Sequence, residues 1–470
     1  MKFLDLPLEL LSHILCHLAR PQHIASVCLV NKVFHQFGVP RLYERVSIYS
    51  WHKHGKAKVV CLFRTLANYP HLAKYVLKLG PVSRCLDHGV LSEAHTEIRD
   101  FPKSLGAMDT DELVLNGLKN CLNLQACTWT RDGSLNSAIL SVLRASQTLR
   151  ELEINGHSDG NYDAGILAGF AHLRRISLIM PSARVVRQFN SWMALTGATL
   201  CSLTLICKMS PLITDDILGA LAPSLVHLDQ FSITGCPRVG HAGIWAIISQ
   251  NIAGIVRLGL EGLPSKFNMD RLSQLCVRSD ALAHLKAITL SLDQETWLTS
   301  VSTMLSTAPL EVFQIYATSA FVQSSATEAF WRDVVTTHGP RLTRFSVHRM
   351  LISLRAIEDV CVRCTSLLQL FVVIDHASLE PLTQCLSRAK KIREVHVNFQ
   401  GDAPVLLKAP DALAIVRRCP QTIVLFGCNA RVWQVEREIK CNERGELFAE
   451  RFLAKYESPD IPEQFLVVRT

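Results

Sequence analysis

The 470-residue chain has no glycine-rich phosphate loop, no His-Glu-x-x-His motif and no nucleophile elbow. That excludes P-loop nucleotide chemistry, zincin proteolysis and α/β-hydrolase chemistry. Charged residues are scarce, 19% against 49% apolar, which excludes a disordered chain. Aromatics reach only 7% and the net charge of +8 is spread along the length. A nucleic-acid interface would concentrate its basic residues with aromatics between them. Long apolar runs are missing too. The longest uncharged run, Gln188 to Cys207, carries Asn190, Ser191, Thr196, Gly197, Thr199, Ser202 and Thr204, too polar for a span of ~20 residues.

Metal and acid–base constellations are equally thin. Cys361 and Cys364 form a lone Cys-x-x-Cys inside a helical pattern, with no second pair at zinc spacing. His52 and His54 belong to a short basic turn. Glu153, Asp159 and Asp163 have no partner base or nucleophile. The expectation is a chain with no catalytic site, metal or cofactor. No signal peptide is expected at the opening, because Asp5, Pro7 and Glu9 interrupt the apolar stretch after Lys2. The sixteen cysteines are then expected to be reduced thiols in the cytosol or nucleus. Cys127, Cys236, Cys361 and Cys364 fall at packing positions.

What the chain does have begins at "LPLELLSHILCHL", residues 6 to 18. On a helical wheel Leu10, Ile14, Leu18, Leu11, Leu15 and Leu8 spread over roughly 160°. A helix lying on one core needs an apolar stripe of only about 100°. The surplus calls for a second neighbour. Pro21 opens a second helix, "PQHIASVCLV". Asn31 caps a third, "KVFHQF", expected to stop at Gly38 and Pro40, with a last turn in "PRLYERVSI". Three short helices make a marginal core alone.

This order resembles the F-box. The family's Leu-Pro opening, Glu-Leu pair, Ile, helix-ending Leu, Leu-Val, aromatic and Leu-Trp fall on Leu6-Pro7, Glu9-Leu10, Ile14, Leu18, Leu29-Val30, Phe34 and Leu42-Tyr43. Two positions depart: Gln22-His23 stand where an acidic residue is usual, and Tyr43 replaces the closing Trp. The resemblance implies that Leu6, Pro7, Leu10, Ile14, Leu18, Leu29, Val30, Phe34, Leu42 and Tyr43 would dock a Skp-family adaptor carried by a cullin scaffold.

Beyond residue 120 one pattern recurs: apolar, two residues, apolar, one residue, apolar. It starts at Leu124, Leu149, Leu173, Leu200, Leu228, Ile255, Leu285, Leu310, Leu342, Leu367 and Ile392, in steps of 24 to 32 residues. Helical periodicities such as "TDDILGALA" and "AIEDVCVRC" fill the intervals. A strand and a helix at each step describe a solenoid unit that buries its face only by stacking on neighbours. In "LITDDILGALAPSLVHLDQFSITGCPRVG", Thr214 caps a helix with Asp215 and Asp216 in its first turn, and Leu228, Phe231, Ile233 and Cys236 follow. The run resembles the cysteine-containing leucine-rich repeats found with F-boxes. Most units lack the Asn or Cys that Cys236 supplies, so their backbone must be satisfied differently.

The predicted fold is an α/β solenoid: a three-helix module over 1–49, then a curved array with parallel inner strands and outer helices. Residues 50–119 form a transition holding a degenerate repeat at Leu72 and an inserted loop at 84–112. The repeats run over 120–430, with "QTIVLFG" as a last unit. A cap occupies 431–470 and contains a helix-like "ELFAERFLAKY". Strand alternation turns Glu151, Glu153, Arg175, Gln230, Arg257, Glu261, Gln314, Tyr316, Arg344, His348, Phe371, Glu394 and His396 away from the helix side. Arg257, Tyr316, Arg344, His348, Phe371, Glu394 and His396 are the expected substrate contacts, with Tyr316, Arg344 and Phe371 the anchors. By resemblance the chain is a non-catalytic protein-substrate receptor of an SCF-type ubiquitin ligase; the rival reading is a repeat scaffold unconnected to ubiquitin.

Overall fold

The computed structural model describes residues 7–18, 21–46, 55–80, 107–131, 133–318, 323–400, 407–442 and 444–456. Leu6, His52, His54 and residues 84–106 of the expected insertion lie outside them. The chain divides into two compact units, one reaching Leu212 and including 223–227, the other built from Ile213–Ala222 and Leu228–Tyr456.

The first unit opens with α1 (Glu9–Cys16), α2 (Pro21–Cys28) and α3 (Lys32–Glu44), then β1 (Arg45–Val46), α4 (Gly55–Asn68), α5 (Pro70–Ala73) and β2 (Lys78–Leu79). It continues through α6 (Ala107–Asn120), β3 (Ala126–Trp129), α7 (Ser137–Ala145), β4 (Glu151–Asn155), β5 (Arg175–Ile179), α8 (Ala183–Arg187), α9 (Phe189–Thr196) and β6 (Ser202–Ile206). Strands β1 to β6 lie side by side in chain order, each parallel to the one before.

The second unit repeats the alternation: α10 (Asp215–Leu221), β7 (Gln230–Thr234), α11 (His241–Gln250), β8 (Arg257–Glu261), α12 (Met269–Arg278), β9 (Ala287–Leu292), α13 (Trp297–Leu305) and β10 (Val312–Ala317). Then come α14 (Ser325–His338), β11 (Arg344–Leu351), α15 (Leu354–Arg363), β12 (Gln369–Ile374), α16 (Leu379–Leu386), β13 (Glu394–Phe399), α17 (Ala409–Arg418) and β14 (Leu425–Cys428). Its strands are parallel from β7 to β14. Every strand expected between Leu124 and Ile392 is present, as are those after Leu72 and in "QTIVLFG". Among the described residues no helix is long and apolar enough to cross a membrane.

The core lies between strands and helices. In the first unit the strand residues Leu152, Ile154, Leu178 and Leu205 and the helix residue Leu140 are almost fully buried, as in the second are Phe231, Ile233, Leu260 and Leu290 of the strands and Leu218, Ile247 and Leu272 of the helices. Each such side chain stabilises the fold by about 1.5–3 kcal/mol. The cysteines Cys127, Cys236, Cys361 and Cys364 are buried as expected, and burial pushes the Cys127 and Cys364 thiols up to about 12. The described residues hold no cluster of His, Cys, Asp or Glu fit for a metal ion.

Threonine hydroxyls tie successive repeats together ahead of the strands. Thr148, Thr199 and Thr422 each precede the first apolar residue of a repeat. Their hydroxyls donate to the carbonyls of Leu124 (2.8 Å), Leu173 (3.0 Å) and Ile392 (2.6 Å), the first apolar residues one turn earlier. Asn251 does the same with Leu228, at 2.8 Å. Thr214 caps α10 through the Ile217 amide, and Asp215 accepts from the Gly240 amide at 2.7 Å, tying one repeat to the next.

Three expectations are corrected. Helix α3 does not stop at Gly38 and Pro40 but runs to Glu44. Gly38 is buried against Cys28 of α2, where an added Cβ would lie 2.6 Å from the sulfur, so tertiary packing overrides its low helix propensity. The expected 84–112 loop ends in helix from Ala107. "ELFAERFLAKY" is not helical: it supplies β16 (Leu447–Lys455), antiparallel to β15 (Arg431–Cys441), which in turn pairs antiparallel with β14. Its apolar spacing fits either period. The missed signal is the turn Asn442–Glu446, where Gly445 has φ +80° and the Asn442 side chain accepts from the Arg444 and Glu446 amides. The ribbon caps the last repeat through Arg451, whose buried guanidinium donates to the carbonyls of Arg417, Cys419 and Pro420.

Candidate functional site

Two surfaces carry the residues singled out above. The first is the opening helical module. Asn31 caps α3 by accepting from the Phe34 amide at 2.9 Å, which turns the chain sharply after α2. Leu11 and Leu15 of α1 are buried, and so is Ile24 of α2. The rest of the apolar arc of α1 has no cover: Leu8 is 53% exposed, Leu10 43% and Ile14 37%. On the wheel Leu10 and Ile14 sit on the flank opposite Leu15, so one apolar arc serves two directions. At the α2–α3 junction Leu29 is 87% and Val30 64% exposed.

Pro7 is exposed as well, Leu18, Phe34, Leu42 and Tyr43 are half-buried, and Leu6 is outside the described residues. Burial raises the Tyr43 phenol above its usual range, the nearby Cys28 thiol adding to it. Sequence reasoning missed Val33, 37% exposed one residue before Phe34. Apolar side chains this open, within one short helical module, mark an interaction surface.

The second surface is the sheet face turned away from the helices. Register builds it in rows. Arg257, Ala287, Val312, Arg344, Gln369 and Glu394 form one row; Thr289, Gln314, Ser346, Phe371, His396 and Gly427 the next; Tyr316 and His348 begin a third. Neighbours along the rows lie on one another. Tyr316 and His348 stack with ring centres 4.7 Å apart, and the Arg344 guanidinium carbon is 5.0 Å from the centre of the Phe371 ring. Phe371 also meets His348 and His396, each at 6.3 Å. Ser346 and His348 share a 2.8 Å hydrogen bond, and Gln314 donates to the Tyr316 hydroxyl.

The structure therefore brings Tyr316, Arg344, His348, Phe371 and His396 together. Arg257, three strands from β11, and Glu394, bonded to Gln369 at 3.1 Å, stand outside that cluster. The expectation that the aromatics present open apolar surface is corrected. Tyr316 is 4% exposed and Phe371 1%, while Arg257 is exposed and Glu394 half-buried. Parallel strands about 4.8 Å apart leave little room between such large side chains, so they cover each other.

Burial also sets the charge state. The His348 imidazole is lowered to about 3 by burial first and by the Arg344 charge second; burial lowers His396 to about 4. Both are neutral near pH 7. In the first unit Glu153 is pushed up to about 7 by burial, against the lowering effect of the Thr128 hydroxyl 3.2 Å away. The hydrogen-bonded Ser346–His348 pair is closed off from water, with Ser346 0% and His348 2% exposed.

The F-box-like family model matches residues 3–49. No curated protein matches the chain significantly. Among solved structures, the leucine-rich repeat-containing protein LegL7 from Legionella pneumophila is similar over 63% of this chain and 90% of its own, at 11% identity and a TM-score of 0.39. The chain is thus an F-box-like module followed by a leucine-rich-repeat solenoid.

Proposed function

We propose that this chain is the substrate-recognition subunit of an SCF-type ubiquitin ligase. Its opening module docks a Skp-family adaptor bound to a cullin, and its repeats hold a protein substrate. The observation that carries the reading is the divided apolar arc of α1, with Leu11 and Leu15 turned inward and Leu10 and Ile14 left open beside an exposed Leu29 and Val30. An adaptor that covers these side chains removes apolar area from water, at about 25 cal/mol per Å². A terminal cap of the solenoid has no use for that second face.

Catalysis in such an assembly is proximity: the receptor holds the acceptor near the ligase's conjugating enzyme and itself makes or breaks no bond. The chain then works in the cytosol or nucleus without a cofactor. Surfaces for the substrate include the exposed Arg257 and the half-buried Glu394 of the strand rows, because the central aromatics are already covered.

The test is co-purification from cell extract with Leu10→Asp and Ile14→Asp against the native chain. The native chain recovers adaptor and cullin. The double variant loses both, since each aspartate would put an unpaired charge into the contact, while circular dichroism keeps the repeats' signal. Recovery of neither partner by the native chain overturns the ligase reading in favour of a repeat scaffold.

A further inference from the structure

The capping ribbon ends the sheet with an open edge. Among the described residues β16 pairs with β15 alone, so every second residue of β16 turns its backbone N–H and C=O outward. The hydrogen bond from the Asn442 amide to the Glu446 carbonyl sets the phase: even-numbered residues of β16 bond to β15, and Leu447, Ala449, Arg451 and Leu453 face out. Such an edge is a template for another strand. It also carries unusual apolar exposure for a cap, with Leu447 at 75%, Phe448 at 46% and Phe452 at 38%. Two of its charges are already engaged. Glu450 is held by Lys440 at 2.7 Å and Arg417 at 2.8 Å, and the Arg451 side chain is turned under onto α17.

We propose that two copies of the chain pair antiparallel through β16, about a two-fold axis at Glu450. The sequence of the strand selects the second copy and the register. A two-fold pairing of outward-facing residues must be centred on one residue of β16, and three centres are available near its middle. Centring on Ala449 sets Leu447 against Arg451 and Phe448 against Glu450. Centring on Arg451 sets Leu447 against Lys455 and Glu450 against Phe452.

Centring on Glu450 alone sets apolar against apolar, Leu447 with Leu453 and Phe448 with Phe452, each twice by symmetry. The outward-facing pairs, Leu447 with Leu453 and Ala449 with Arg451, then make the backbone bonds. The Phe448–Phe452 pairs fall at the non-hydrogen-bonded sites, where opposed side chains are closest. The two Glu450 carboxylates meet at the axis, each already neutralised by its own Lys440 and Arg417. Seven residues per copy make a small interface, which places the association among weak and concentration-dependent ones.

Sedimentation of the full-length chain over a concentration series tests this. The native chain shifts toward twice its monomer mass as concentration rises. Phe448→Lys with Phe452→Lys weakens self-association at least tenfold. Ala449→Pro removes one outward N–H that β15 does not use, and weakens it similarly without loss of the circular dichroism signal. Glu450→Cys reads the register: mild oxidation gives a dimer whose cross-linked peptide joins position 450 to itself. A chain that stays monomeric throughout overturns the proposal. So does a dimer indifferent to both edge variants, one cross-linked elsewhere, or an edge occupied only by a strand of another protein.

Discussion

Gly427 lies directly opposite His396 in the β13–β14 register, and an added Cβ there would fall 1.9 Å from the His396 Nδ1 atom. The imidazole occupies the space a side chain would need, and is held there by a 3.0 Å bond between its Nε2 and Asn398. Gly427→Ala must push the ring aside, so the cost is that of overpacking, about 1–3 kcal/mol. Urea unfolding should show that loss for Gly427→Ala. His396→Ser combined with it should lose less than the two single losses added together, because the clash is absent. Additive losses would mean that the two positions do not compete for space.

Glu153 titrates in the folded chain at about 7, above the ordinary carboxylate value, because it is buried. A raised carboxylate pKa means that the folded state binds the proton more tightly than the unfolded state. Its contribution is complete below the unfolded value near 4.5 and declines as pH rises through 7, by about 3 kcal/mol in all. Glu153→Gln keeps the shape and removes the titration. The melting temperature of Glu153→Gln relative to the native chain should therefore rise between pH 5 and 7.5. His348 and His396 act oppositely: their lowered values destabilise the fold as pH falls from 6.5 toward 4. They are common to both proteins and cancel in the comparison. A pH-independent difference would show that the Glu153 carboxyl is open to water.

The threonine hydroxyls that bridge successive repeats should each matter. Thr199 donates to the Leu173 carbonyl and to that of Thr196, both at 3.0 Å. Thr199→Val keeps the branched shape and leaves a carbonyl short of one donor, at about 1–2 kcal/mol. Thr204→Val is the control. Its hydroxyl is buried without a hydrogen-bond partner, so its replacement should be neutral or stabilising. Equal losses at both positions would remove the role assigned to Thr199.

Much of this was readable from the chain itself, and the reasons differ by element. The eleven strands from Leu124 onward were legible because each repeat carries its own apolar triplet at a nearly constant step, and stacking demands that repetition. The exposed apolar residues of α1 were legible because an apolar arc of roughly 160° cannot be covered from one side. The extent of α3 was not, since Gly38 and Pro40 read locally as a stop while the Cys28 contact that keeps the helix going is tertiary. Nor was β16: its pairing partner lies across a turn, and the Arg451 anchor to α17 has no periodic signature. Burial of the Tyr316–Phe371 cluster was hidden for a similar reason. Alternation says which face a side chain takes, but what covers it depends on the neighbouring strands.

That burial changes what the cluster's substitutions should do. Read as open anchors, Tyr316, Arg344 and Phe371 would be removable at no cost to the fold. In the structure Phe371 touches Arg344, His348 and His396 and is 1% exposed. Phe371→Ala therefore leaves a cavity among buried polar groups, with a loss of about 3–5 kcal/mol. Arg257→Ala removes an exposed side chain and should change stability little, within about 0.5 kcal/mol. Thermal unfolding of the two variants gives the first comparison. Binding of a captured substrate gives the second, because Arg257 is exposed where Phe371 is covered. Phe371→Ala with native stability and weakened substrate capture would restore the cluster as an open binding surface. Loss of stability at Phe371 together with weakened capture at Arg257 would place substrate contact on the rim of the strand rows.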